Sequence, residues 1–122
     1  MKNIFFILFV LFSSRLFSNN SIQNWHGEWK DNQQIIISIS EDIPFYSDLT
    51  NDLLVIHNAK PDRLINYVLL DEYGNALITG SVSKENSAQI TISISDLPDN
   101  GIFTVILTSP NPNDRVWSQF EK

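Results

Sequence analysis

The sequence predicts an all-β protein folded as an antiparallel β-sandwich of about seven strands. Apolar and polar residues alternate with the period of two that places one face of a strand in a core. Turn-forming residues recur about every 8–12 positions, which is the spacing of short sandwich strands. No window of the sequence shows a sustained helical period.

The most regular part of the chain is the block 64–107, and it contains four predicted strands. Two of the turns between them are expected to close on a glycine, Gly74 and Gly101. Gly80 lies inside the second strand and predicts a bulge or bend there. The four strands are predicted over 64–71, 76–82, 88–95 and 102–108.

Further strands flank this block. Gly27–Lys30 suits a short edge strand, and 35–40 places three isoleucines on one face. The nearly continuous apolar run 53–57 indicates burial on both faces or a central place in its sheet. Residues 115–121 form the closing strand.

The segment 41–51 is predicted to be a loop, because Pro44, Ser47 and Asp48 are loop formers. The apolar residues of this segment would then cap one end of the core. They are Ile43, Phe45 and Tyr46.

The first 18 residues predict a cleaved signal peptide. Lys2 supplies a basic start, nine apolar residues follow from Ile4 to Phe12, and small serines come next. Arg15 ends the apolar run well before the roughly 20 residues that a membrane span needs. We therefore expect a secreted or periplasmic protein, with residues 19–122 as one domain and no membrane span after cleavage.

The chain contains no cysteine, so no disulfide is expected. A small exported domain without disulfides favours a bacterial origin. Residues 19–122 hold all fourteen acidic side chains but only six of the eight basic ones, which gives a net charge of −8. This acidity argues against nucleic acid and anionic membranes as partners, because both bind basic surfaces.

Enzymatic activity is not expected. Nucleophilic hydrolysis needs a serine or cysteine beside a positioned histidine, and the only histidines are His26 and His57. His57 is expected to have a hydrogen-bonded structural role. We assign no catalytic, cofactor or metal-binding residue. The acidic groups that could bind calcium, 41–48 and 96–100, are explained by turns, which favour Asp and Asn.

The tryptophans are the only suggestive set of side chains. Trp25, Trp29 and Trp117 lie in the opening and closing segments, outside the most regular strands. Exposed tryptophans stack on sugar rings or anchor protein interfaces, so these three are the candidate ligand or partner contacts. Alternatively, Trp29 and Trp117 pack together where the first and last segments meet.

Several runs resemble a known family of short exported Bacteroides-type proteins, catalogued as a domain of unknown function. They comprise the turn 69–77, the strand and turn 92–98 with its continuation 101–105, and the aromatic runs 27–29 and 117–121. Here two residues separate Pro98 from Gly101, where the family typically has one. The resemblance implies an immunoglobulin-like sandwich, and it supplies no catalytic residues. C-terminal sorting domains of type IX secretion cargo look similar over the same block.

These observations lead to a non-enzymatic binding or interaction module of the bacterial envelope. Its expected partner is an envelope or extracellular protein, contacted through loops or an exposed edge strand. A carbohydrate-binding accessory protein that uses the tryptophans is the alternative. A structural or sorting domain is the third hypothesis.

Overall fold

The computed structural model describes residues 24–30 and 43–122. The expected signal peptide and the strand predicted over 35–40 lie outside these residues. The described part contains eight strands and one short 3-10 helix, Lys84–Asn86. The strands are β1 (His26–Glu28), β2 (Phe45–Leu49), β3 (Leu53–Asn58), β4 (Ile65–Leu70), β5 (Ala76–Val82), β6 (Gln89–Ser93), β7 (Ile102–Thr108) and β8 (Arg115–Glu121).

The strands form two sheets. One has five strands in the order β1-β8-β7-β4-β5, and the other has three in the order β2-β3-β6. All neighbouring strands are antiparallel. The predicted all-β antiparallel sandwich is confirmed, with eight strands in the described part of the chain where about seven were expected.

The core lies between the sheets and follows from the alternation along each strand. In β7, Phe103, Val105 and Leu107 are buried, and their neighbours are exposed or half-buried. The facing sheet contributes Leu54 and Ile56 from β3. A fully buried side chain of this size contributes about 1.5–3 kcal/mol. The other buried apolar residues are Trp29, Phe45, Ile65, Leu69, Ile90, Ile92, Ile94, Val116 and Phe120.

The prediction of a loop over 41–51 was wrong, because β2 occupies part of it. Phe45 and Ser47 are buried, whereas Tyr46 and Asp48 are exposed, so this segment alternates like the other strands. The apolar alternation of this segment is not evident in the sequence, because Ser47 is polar although it points inward. It accepts a hydrogen bond of 3.3 Å from the indole Nε1 of Trp25.

Three other strand predictions are confirmed. β3 is the central strand of its sheet, as its apolar run indicated. Among the described strands β1 lies at an edge, as expected of the predicted strand Gly27–Lys30, although it spans His26–Glu28; it pairs with the first half of β8 through His26 and Trp117. β8 runs from Arg115 to Glu121, the predicted bounds.

The two glycine turns differ from each other. Gly74 has φ +89°, so the first turn uses the left-handed conformation that glycine adopts without strain. In the second turn, the residue with positive φ is Asn100, at +67°, and not Gly101. Asparagine tolerates this conformation better than most side chains, which explains why the extra residue before Gly101 is accommodated.

A bulge is present in the hairpin of β4 and β5, but not at Gly80. Leu69 pairs with Ile78 and Leu70 with Ala76, which leaves Leu77 as the extra residue. Gly80 pairs regularly with Tyr67 and is needed for packing, because a Cβ at this position would collide with the Tyr67 ring.

Candidate functional site

The three candidate tryptophans lie in different environments. Trp29 is buried, and its ring meets Phe45 edge-on with 4.9 Å between centroids. Trp25 is half-buried, 5.8 Å from the same phenylalanine ring. Trp117 is 37% exposed and points away from the core. Trp29 and Trp117 therefore lie on opposite sides of the sheet and do not form the pair that was considered.

Trp117 lies in an apolar row across the outer face of the five-stranded sheet. The strand register places His26, Trp117, Ile106, Val68 and Thr79 side by side on β1, β8, β7, β4 and β5. The three central members are apolar and lie on three adjacent strands. All three point outward, because the residues that alternate with them are buried or, in the case of Tyr67, packed against the core.

The next row of the same face adds a second apolar side chain on β4. Gln119, Thr104 and Leu70 are in register there, and the Gln119 amide donates to the Thr104 hydroxyl at 3.2 Å. Val68 and Leu70 are both half-buried. We define the Trp117 face as the outward residues of these two rows on β8, β7 and β4, namely Trp117, Ile106, Val68, Gln119, Thr104 and Leu70.

Charged groups border the Trp117 face at both ends of β8. The Arg115 guanidinium lies 5.8 Å from the centroid of the Trp117 indole, a cation–π arrangement. The His26 ring lies 5.7 Å from the same indole. Glu28 is opposite Arg115 in register, and Glu121 ends the strand. Tryptophan and arginine are both among the residue types that are enriched at energetically important interface positions.

The outer face of the three-stranded sheet differs, because its apolar residues are separated by polar ones. Val55 lies between Asp48 and Thr91 in the register of β2, β3 and β6. His57 is hydrogen-bonded, as expected: its Nε2 lies 3.0 Å from Oδ2 of Asp48, and its ring stacks on Tyr46 at 4.8 Å. In the described part of the chain, a continuous apolar row therefore crosses the outer face of the five-stranded sheet only.

A buried polar network lies at the end of the sandwich where β4 and β8 begin. Asp114 accepts hydrogen bonds from the Arg63 guanidinium at 2.7 Å, the Ser109 hydroxyl at 2.6 Å and the Lys30 backbone N–H at 3.0 Å. Arg63 also bonds Asp62 and lies 5.2 Å from the Trp29 ring centroid. Sequence reasoning missed this network, because its members are far apart in the chain and each one resembles an ordinary loop residue.

The electrostatics of this network favour a permanently charged guanidinium. Burial by itself lowers the pKa of Arg63. The hydrogen bonds and negative charges of Asp62 and Asp114 raise this pKa by a larger amount, so the pKa of Arg63 lies above its ordinary value. The network connects loops of the two sheets, and the position of Arg63 in the interior gives it a structural role.

The residues considered for other chemistry are dispersed. His26 and His57 lie on the outer faces of different sheets. Over 24–30 and 43–122, no three His, Cys, Asp or Glu side chains are grouped as a metal site would require. In the candidate calcium group 96–100, Asp99 lies 3.7 Å from the Lys122 ammonium. In the other group, Asp48 contacts His57 and the residues 41–42 lie outside the described part.

No helix among the described residues is long and apolar enough to cross a membrane.

Comparisons with known proteins bear on the fold. No protein-family model matches the chain. No curated protein matches it either. Among solved structures, the chain is similar to a DUF3244 family protein from Bacteroides vulgatus, which has an immunoglobulin-like β-sandwich fold. The two are 25% identical with a TM-score of 0.67, and the match covers 84% of this chain and 97% of the other.

This similarity agrees with the eight-stranded architecture, with its two antiparallel sheets and no cysteine. A domain of unknown function brings no assigned activity to the comparison. The resemblance seen in the sequence is thereby confirmed: this protein is an immunoglobulin-like β-sandwich similar to the Bacteroides domain family of unknown function DUF3244.

Proposed function

We propose that this chain is a small exported non-enzymatic binding module, and that it contacts a protein partner through the Trp117 face. The observation that carries the proposal is the apolar row of Trp117, Ile106 and Val68 on three adjacent strands of an outer face. An isolated exposed apolar residue is ordinary on protein surfaces, whereas a contiguous row bordered by polar residues is typical of an interaction site.

The composition of the face supports a protein partner. Its centre is apolar and aromatic, and its border is charged, which is the anatomy of protein–protein interfaces. The face is built on strands, so its side chains are held in place before binding and little conformational entropy is lost on contact. Residues 19–122 carry a net charge of −8, so a contact surface that places a positive group of the partner over Glu121 would be favoured electrostatically.

Photocrosslinking from the Trp117 face tests this proposal. A photoreactive amino acid at Gln119 reports on this face, and the same group at Thr91 reports on the outer face of the other sheet. Each labelled chain is irradiated in native envelope extract, and the crosslinked products are identified by mass spectrometry. We expect one defined protein from position 119, lost when Trp117→Ser is added, and no such product from position 91. Identical products from both positions, or none from position 119, would contradict the proposal.

Carbohydrate binding is a second candidate, favoured by the polar groups around the Trp117 indole. Glu28, Arg115 and His26 surround an aromatic ring that could stack on a sugar. The Arg115 guanidinium already lies over this ring, which reduces the area open to stacking and makes a protein partner the better fit. Titration of a glycan panel into the protein, followed by tryptophan fluorescence, separates the two. A response that Trp117→Ala abolishes supports sugar binding, and no response across the panel rules it out.

A further inference from the structure

We infer that the protein bound at the Trp117 face is a second copy of this chain, packed face to face about a two-fold axis. This inference rests on the proposed function and names its partner. The evidence for this inference is twofold. The strand register allows Val68 of each copy to lie over Leu70 of the other, and the charges allow Arg115 of each copy to lie over Glu121 of the other. A two-fold interface requires this, because the same surface supplies both sides of the contact.

The strand register supplies the axis. Leu69, Val105 and Ser118 form one line across β4, β7 and β8, and all three point into the core. The two outward rows of the Trp117 face lie on either side of this line. A two-fold axis parallel to this line, about 5 Å outside the sheet in the plane where two sheets packed about 10 Å apart meet, therefore places the first row of one copy over the second row of the other.

This rotation places one apolar pair in contact and sets the other two apolar side chains over polar residues that have apolar parts. Val68 of each copy lies over Leu70 of the other, which gives two equivalent apolar contacts. Trp117 lies over Gln119 of the other copy, where the amide can pack against the indole. Ile106 lies over Thr104, whose methyl group provides the apolar contact.

The charges also match. Arg115 and Glu121 stand three residues from Ser118 in opposite directions, and both point outward. Neither makes an ion pair with another described residue; the described neighbour of the Arg115 guanidinium is the Trp117 ring. The rotation places Arg115 of each copy over Glu121 of the other, so two intermolecular ion pairs form.

The dimensions allow these pairs to form. Three residues of a strand span about 10 Å, and aligned sheets pack about 10 Å apart with their strands turned by about 30°. Because of this angle between the strands, Arg115 of one copy and Glu121 of the other, each about 10 Å from the axis, are displaced laterally by about 5 Å. The long side chain of arginine bridges such a displacement.

A charge-swap experiment tests the inference. The mature chain, residues 19–122, and its variants are studied by analytical ultracentrifugation. We expect a concentration-dependent dimer for the natural chain. Arg115→Glu and Glu121→Arg should each raise the dissociation constant at least about tenfold, because each places like charges over one another. An equimolar mixture of the two variants should recover the dimer, because opposite charges then face each other across the interface. Circular dichroism spectra should match that of the natural chain, because both side chains are exposed. Melting temperatures are compared at a concentration at which the natural chain is monomeric, because dimerisation itself stabilises the folded state.

The outcomes separate this inference from the proposed function. A natural chain that stays monomeric at about 100 µM, or single variants that dimerise as well as the natural chain, would overturn the second copy as partner. If a Trp117-dependent crosslink to a different protein is then found from position 119, the proposed function stands with another partner. If that crosslink is also absent, both proposals fail.

Discussion

Arg63 and Asp114 form a buried ion pair, with 2.7 Å between Nη1 and Oδ2, that connects the β3–β4 loop to the β7–β8 loop. The Asp114 side chain is fully buried, and the exposed fraction of the Arg63 side chain is 9%. The same carboxylate accepts bonds from Ser109 and from the backbone of Lys30. One aspartate therefore fixes the ends of three segments, including the short edge strand β1.

Asp114→Asn is expected to lower the free energy of unfolding by about 3 kcal/mol, because it leaves a buried guanidinium with less compensation. Asp62, which also bonds Arg63, keeps the loss at the lower end of the range for broken buried pairs. Asp48→Asn is the matched control, since it removes an exposed pair with His57 and should cost at most about 1 kcal/mol. Urea unfolding measures both. A loss in Asp114→Asn of no more than about 1 kcal/mol, as for an exposed pair, would show that the Asp114 network is not stabilising.

The buried and exposed tryptophans should respond differently to truncation. Trp29→Ala removes a buried ring from the core and should cost about 3–5 kcal/mol. Trp117→Ala, on the outer face, should change stability by only about 1 kcal/mol. Thermal unfolding of the two variants provides the comparison. A large loss in Trp117→Ala would mean that this side chain is part of the fold and is not available as a binding residue.

Gly27 is expected to be intolerant of any side chain. It has φ +113°, and a Cβ there would collide with the backbone carbonyl of Arg115 on the paired strand. Gly27→Ala should therefore detach β1 and cost about 2–3 kcal/mol. Gly74→Ala is the control: its φ is also positive, at +89°, but open space surrounds the position, so a cost of about 1 kcal/mol is expected. Amide exchange at Trp117, which pairs with His26 on β1, should accelerate in Gly27→Ala alone.

In the turn after β4, the pKa of Asp71 should lie below its ordinary value. The side-chain hydrogen bond from Asn75 is the main reason that the pKa of Asp71 is below its ordinary value, and backbone N–H groups of the turn add to it. Since the folded pKa is depressed, the stabilisation is present above the unfolded pKa and is lost as the pH falls through the folded pKa. Asn75→Ala should raise the pKa of Asp71, measured by NMR titration of its carboxyl carbon.

Glu72→Gln is the control for this titration. The hydrogen bond to Glu72 is the main cause that raises the pKa of Tyr73, so this variant should lower the pKa of Tyr73 and leave that of Asp71 in place. If Asn75→Ala leaves the Asp71 titration unchanged, the turn hydrogen bonds are not responsible for its shift.

The sequence was sufficient to predict those strands in which few loop-forming residues interrupt the apolar alternation. β8 is an example, because Val116 and Phe120 alternate with polar or exposed residues and its bounds agree with the prediction. β2 could not be predicted in this way, because Pro44, Ser47 and Asp48 are typical of loops, and the hydrogen bond that Ser47 accepts comes from Trp25, 22 residues away. A local pattern contains no information on such a partner.

The candidate site was harder to predict, because exposure depends on strand register. The sequence indicated the three tryptophans as candidate contact residues. It did not show whether each indole faces the core or solvent, because this depends on the register between neighbouring strands. Trp117 faces outward because it pairs with Ile106, itself an outward residue of β7. The Arg63–Asp114 pair depends on contacts across 51 residues, and no local spacing predicts it.

The alternation along β8 has a consequence for how this protein can change. Val116 and Phe120 hold the core together, while Arg115, Trp117 and Glu121 face solvent from the same seven-residue strand. Mutations at the odd-numbered positions therefore change the outer surface of the sheet, which includes the proposed binding face, without touching the interior of the domain. A library randomised at these few positions would be a direct way to build a new binding surface on an unchanged scaffold.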